Sequence, residues 1–270
     1  MTSAHFLRSL CALSLPDPSV SAINRGVRKL EVNVPNLFVV FLFWILADFY
    51  SEWTVRIMTK RNGIRLTDRD LKIAKWIAEQ QAVRLDTIAR LLEFMNTPCG
   101  PRNLRRLAER WEEAGLVHRQ QILADVPMIL WPTKSAMRLT DFDDKRIEKS
   151  PSITTLHHTL AVSRVRLAYE MMGSDWTPER ALRQKFNGQH LADGLATIGQ
   201  RKALIEVELT RKKKERLRNI ISSNARTPGI EQVHYWTTPE LHAFVTEEIA
   251  NIHTSIKGQI YVYQIPSEVL

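Results

Sequence analysis

Cysteine is almost missing from this chain: 270 residues hold only Cys11 and Cys99, far apart. That excludes a disulfide framework and a cysteine-rich zinc site, and it suits a reducing cytoplasm. Long apolar runs are also missing. The uninterrupted run at residues 37–47 ends at Asp48, well short of the roughly 20 residues that a bilayer span needs. It begins too late for a secretory signal, and no small-residue cleavage site follows it. Three readings of residues 1–57 stand: a membrane-associating helix, a buried helix, or an extension ahead of a start at Met58. There is no internal repeat, no low-complexity segment and no His-apolar-His pair.

Positive charge is what the chain has in excess. It carries +9 at neutral pH, with a pI near 9.7. Basic residues outnumber acidic ones by 18 to 13 between 58 and 150, and by 15 to 12 from 151 onward. The excess is therefore spread over the folded parts, and it favours a polyanionic partner.

Residues 64–140 read as three helices and a hairpin. Thr67 followed by Asp70 resembles a capping box opening a helix that ends near Gln81. Ile73, Trp76 and Ile77 form its apolar face. A shorter helix is expected over 86–94, broken by Pro98, Gly100 and Pro101. The third starts at Pro101, a favoured first helical residue, and stops at Gly115. Its inward residues are Leu104, Leu107, Ala108, Trp111 and Ala114. Extended runs at 116–123 and 128–131 complete a winged helix-turn-helix layout. Arg102, Arg106 and Arg110 fall at i, i+4 and i+8 opposite the apolar face, with Arg105 beside them. Such a helix can enter a major groove and read guanine or clamp phosphates.

The charged stretch 141–150 marks a domain boundary, so the expected division is 1–57, 58–150 and 151–270. A helix is expected over 153–172, then strands at 177–182, 189–192, 203–209, 232–237 and 259–265, with helices at 211–223 and 239–253. This is a mixed α/β layout. Glu206 and Glu208 share one face of a strand, about 7 Å apart. With Asp193 on a neighbouring strand they would form an oxygen-rich pocket, which a hard cation such as Mg²⁺ or Mn²⁺ would answer. The basic run 211–218 follows at once. Its Lys213 and Lys214 are expected on DNA phosphates. His157 is a candidate for acid/base work.

The order "ADG … ALIEVELTRKKKER … VHYWTT" after a winged helix resembles the replication-relaxation family and the mobilization protein C class of plasmid relaxases. The resemblance covers about residues 64–265. It implies an α+β protein: a winged helix-turn-helix followed by a restriction-endonuclease-like domain of the PD-(D/E)xK type, with an α-β-β-β-α-β core. Asp193 would be the first motif acid and Glu206 the second. Glu208 stands where such nucleases carry lysine, a role Lys212 or Lys213 would have to supply. The function implied is a cytoplasmic, metal-dependent relaxase that nicks one strand of double-stranded DNA at a plasmid or mobile-element origin, alongside accessory relaxosome proteins. The alternative is a non-catalytic winged-helix regulator or relaxosome accessory factor with a degenerate nuclease domain.

Overall fold

The computed structural model describes residues 60–61, 63–122, 127–141, 151–185, 192–252 and 259–265. The expectations for residues 1–57 lie outside these. Thr59–Leu270 form one compact α+β unit. Among the described residues no helix is long and apolar enough to cross a membrane.

A short pair of strands, β1 (Lys60–Arg61) and β2 (Ile64–Arg65), precedes α1 (Asp68–Gln80). The capping box is present as expected. Asp70 N–H donates to Thr67 Oγ1 at 3.3 Å, and Thr67 N–H donates to Asp70 Oδ2 at 2.9 Å. Next come β3 (Val83–Arg84), α2 (Leu85–Phe94) and α3 (Pro101–Glu113). Leu104, Ala108 and Trp111 of α3 are buried, as the helical period requires. Gly115 turns the chain out of α3 at φ 66°, a conformation that costs glycine little. Strands β4 (Val117–Gln120) and β5 (Ile129–Pro132) form the hairpin, whose connecting residues 123–126 are not described. The sheet order is β3-β5-β4, all antiparallel. Two residues are too few to show strand alternation, so β3 left no trace in the sequence pattern. Thr133 caps the one-turn α4 (Lys134–Met137).

The second half opens with α5 (Ile153–Met171), followed by β6 (Asp175–Pro178) and α6 (Glu179–Lys185). The strand expected at 177–182 is thus strand only at 177–178 and helix from Glu179 onward. Pro178 cannot extend a ladder on its N–H side, and Glu179 pairs with Arg183 one helical turn on, at 2.6 Å. The strand expected at 189–192 falls largely outside the described residues. The neighbouring strand, β7 (Gly194–Ile198), starts after Asp193 and turns through Gly199 and Gln200 into β8 (Arg201–Glu208). Then follow α7 (Lys214–Ala225), β9 (Gln232–Thr237), α8 (Pro239–Ala250) and β10 (Ile260–Gln264).

These strands make one sheet in the order β10-β9-β8-β7-β6. The first three in sequence, β6, β7 and β8, form an antiparallel meander; β9 and β10 then join in parallel. One face packs Leu204, Val233, Tyr235 and Ile260 against Leu217 and Ile221 of α7 and Val245 and Ile249 of α8. On the other face Tyr169 of α5 meets His234 and Trp236. Gly194 is required by packing, since a Cβ there would lie 2.1 Å from the Trp176 ring.

The segment taken as a domain boundary lies mostly outside the described residues, but the chain on either side of it is packed together. Leu156 and Leu160 of α5 share an apolar cluster with Ala82, Ile129 and Trp131. Arg166 donates to Glu79 and Glu170, each at 2.7 Å, and lies 4.5 Å over the Trp76 ring. Trp76 Nε1 donates to Glu170 at 2.7 Å, and Arg164 donates to Asp86 at 2.8 Å.

Candidate nucleic-acid interface and acidic centre

The four arginines of α3 separate into two kinds. Arg102, Arg105 and Arg106 are exposed. Among the described residues none of them has an ion-pair partner. Arg110 is different: its Nη2 donates to Asp70 Oδ2 at 2.6 Å. Asp70 is fully buried and also accepts from Trp111 Nε1 at 3.0 Å and from the Thr67 backbone and hydroxyl. Burial raises this carboxyl. The Thr67 N–H, the Trp111 and Thr67 side-chain donors and the Arg110 charge outweigh it and hold the group below the usual carboxylate range. Arg110 therefore ties α3 to α1 rather than facing outward. Arg119 of β4 takes up Glu112 at 2.6 Å and Glu109 at 3.3 Å.

Pairing also thins the basic run 211–218. Lys214 Nζ lies 3.0 Å from Glu248, Arg218 Nε donates to the same carboxylate at 2.6 Å, and Lys212 pairs with Glu208. Glu248 is fully buried between its two cations. Arg211 stacks 4.3 Å over the Phe244 ring. Lys213 and Arg216 remain exposed. Of the two lysines expected on phosphates, Lys213 is available and Lys214 is engaged in holding α7 to α8.

Asp193, Glu206 and Glu208 all lie near the carboxyl end of β8. Gly194 pairs with Ile205 across the β7–β8 ladder, which sets Asp193 beside Glu206. Glu206 and Glu208 are 4% and 5% exposed and face α7. Glu206 accepts from Asn224 Nδ2 at 2.8 Å, and Glu208 accepts from Lys212 Nζ. Tyr235, across from Glu206 on β9, is buried with them. Burial and then the Glu206 charge push its phenol well above the ordinary range, so it stays protonated.

Asp193 does something else. Its Oδ2 accepts the Val207 N–H at 2.7 Å. His158 Nε2 is 3.0 Å from the Val207 carbonyl oxygen and 3.3 Å from the same Asp193 oxygen. Val207 has no strand partner on this edge, because β7 begins only at Gly194. Two side chains satisfy its backbone in place of a strand, as buried peptide groups require. Burial lowers the His158 pKa. The Asp193 hydrogen bond and charge, the Val207 carbonyl and the Glu206 charge together outweigh it and raise the value to about 9. His158 is thus an imidazolium at neutral pH. His157, the histidine singled out from the sequence, is exposed beside it and makes none of these contacts. The two rings are about 100° apart on α5, so the sequence could show that only one faces inward, but not which.

The donor arrangement does not fit a divalent cation. Among the described residues no three Asp, Glu, His or Cys side chains converge as a metal-holding group. Each of the three carboxylates already accepts from an N–H donor: Asp193 from Val207, Glu206 from Asn224 and Glu208 from Lys212. Trp236 Nε1–H donates to the Tyr169 oxygen at 3.2 Å, which leaves the Tyr169 O–H to donate to His234 Nδ1 at 2.6 Å. His234 is neutral, its pKa lowered by burial to about 4. No protein family, curated protein or solved structure matches the chain.

Proposed function

We propose that the chain is a cytoplasmic double-stranded-DNA-binding protein of the plasmid mobilization or replication-relaxation kind, acting as a non-catalytic regulator or relaxosome accessory factor. The carrying observation is the face of α3, where Arg102, Arg105 and Arg106 are exposed and have no ion-pair partner among the described residues, while Leu104, Ala108 and Trp111 anchor the helix. The element order α1-β3-α2-α3-β4-β5, with sheet order β3-β5-β4, supports a winged helix-turn-helix with α3 as the groove-entering helix. The order α5-β6-β7-β8-α7-β9, interrupted by the short α6, supports a PD-(D/E)xK-like second half. The chain-supplied partners of its acids favour a degenerate form. Binding of duplex DNA, measured by fluorescence anisotropy, tests the reading. Unchanged affinity in Arg102→Ala/Arg105→Ala/Arg106→Ala would refute it.

Strand nicking is the second reading. What favours it is the motif order, Asp193 beside Glu206 with Lys212 on Glu208. Supercoiled-plasmid nicking, with and without Mg²⁺ or Mn²⁺, decides. Nicking that disappears in Asp193→Ala and Glu206→Ala would establish it over the accessory role, and intact plasmid under all conditions would remove it.

A further inference from the structure

We infer that Lys212 is the resident cation of the acidic centre, so that the folded protein takes no divalent metal ion there. Three carboxylates brought to one strand end need compensation, because an ionised group buried without a partner loses its hydration with nothing to replace it. Two kinds of compensation are possible in principle: a hard cation from solution, or charges and N–H donors from the chain. The geometry shows the second. Glu208 is 5% exposed, and its carboxylate receives the Lys212 ammonium from four residues further along, where the chain leaves β8. Lys212 is itself mostly covered, with 22% of its side chain exposed, so this is not a surface pair swinging in solvent. Glu206 is 4% exposed and receives the Asn224 amide from the facing side of α7. Asp193 is drawn away from both, toward the Val207 N–H and His158 of α5.

A magnesium-sized ion demands near-octahedral oxygen ligands at about 2.0–2.1 Å. Seating one here would mean turning the carboxylates off their present donors and expelling Lys212, because an ammonium and a divalent cation on one carboxylate repel. The Asn224 N–H and the Val207 N–H would then be left buried without acceptors, each losing the hydrogen bond that offsets its desolvation. The place of Lys212 is therefore a matter of charge: remove it, and Glu208 becomes a buried carboxylate without its cation beside Glu206, a charge that a divalent ion would relieve.

The inference does not rest on DNA binding, and its test uses no DNA. The full chain is titrated with Mn²⁺ by calorimetry, and its melting is followed with and without the ion. Wild type is expected to show no saturable binding up to about 1 mM, a range that still detects weak sites, and no melting shift. Lys212→Met is expected to bind Mn²⁺ and to gain about 5 °C in melting temperature with saturating ion. Lys212→Arg, which keeps the charge, is expected to behave as wild type. Two results overturn the inference: Mn²⁺ stabilising wild type in a manner lost on Glu206→Gln, or Lys212→Met folding without acquiring Mn²⁺ affinity. Should Lys212→Met fail to fold, wild type and Lys212→Arg still decide, because Mn²⁺ binding by either one contradicts a resident chain cation.

Discussion

Replacing Asp70 by alanine removes an acceptor on which the N-cap of α1 and two side chains of α3 converge. Its carboxylate is fully buried and takes donors from the Thr67 backbone at 2.9 Å, Trp111 Nε1 at 3.0 Å and Arg110 Nη2 at 2.6 Å. Deleting one partner of a buried pair costs about 3–5 kcal/mol. Arg110 is 34% exposed and can turn to water, which pulls the loss toward the lower bound. Trp111 cannot: it is 1% exposed and its indole N–H would be stranded. The expected loss is about 3 kcal/mol, or about 6–12 °C in melting temperature for a unit of this size. The sign with pH follows from the depressed carboxyl. Asp70 contributes stability above its unfolded pKa, and that contribution disappears as pH falls through the lower folded value. Urea unfolding of Asp70→Ala across the acid range should therefore show a shallower acid-side decline than wild type. A loss below about 1 kcal/mol, the scale of an ordinary surface pair, would refute the claim that Asp70 holds α3 on α1.

Each of Arg102→Ala, Arg105→Ala and Arg106→Ala that removes a phosphate contact should lower the slope of log affinity against log salt by about 1, read by anisotropy at several salt concentrations; Arg110→Ala should leave that slope unchanged. Gly194→Ala must push a methyl into the Trp176 ring and should destabilise by about 1–3 kcal/mol in a chemical melt. The His158–Asp193 pair contributes stability that is complete below the unfolded histidine pKa, about 6.5, and is lost as pH rises through about 9. Because the ring is 41% exposed, the effect should be modest, and His158→Gln should flatten the urea midpoint over that window.

What the sequence disclosed follows the physics of each signal. Capping and period are local, so the Thr67–Asp70 box and α3 with its Pro101 start read correctly from residues alone. The 232–237 strand was equally plain, since Val233, Tyr235, Trp236 and Thr237 are all β-formers. Partner choice is not local. Nothing in the spacing of Arg102, Arg105, Arg106 and Arg110 distinguishes the last, because what claims it is a carboxylate 40 residues away. The same holds for Lys214, engaged by Glu248, and for His158 in place of His157. The Asp193-Gly194 pair carried two meanings that sequence cannot separate. The glycine answers to Trp176, and the aspartate caps an open strand edge, so both have structural reasons beside any motif.

The packing of α5 bears on how the two halves act together. A flexible linker between a reading head and a second domain would let each find DNA independently, with an effective concentration set by linker reach. Here α5 is clamped at three levels to the first half: Arg164 on Asp86 of α2, Arg166 on Glu79 of α1, and Glu170 on Trp76 of α1. The opposite face of the same helix lies on the sheet, with His158 at Val207 and Tyr169 at His234. Arg166 is 4% exposed, and its guanidinium spans both carboxylates while lying over an indole. Such a group is costly to disengage, because an unpaired buried charge remains. The arginines of α3 and the end of β8 therefore sit on a common frame. On the DNA-binding reading, any phosphate contact made by Lys213 or Arg216 would stand at a fixed offset from α3, so the second half would sharpen register on the duplex rather than add a second, independent grip.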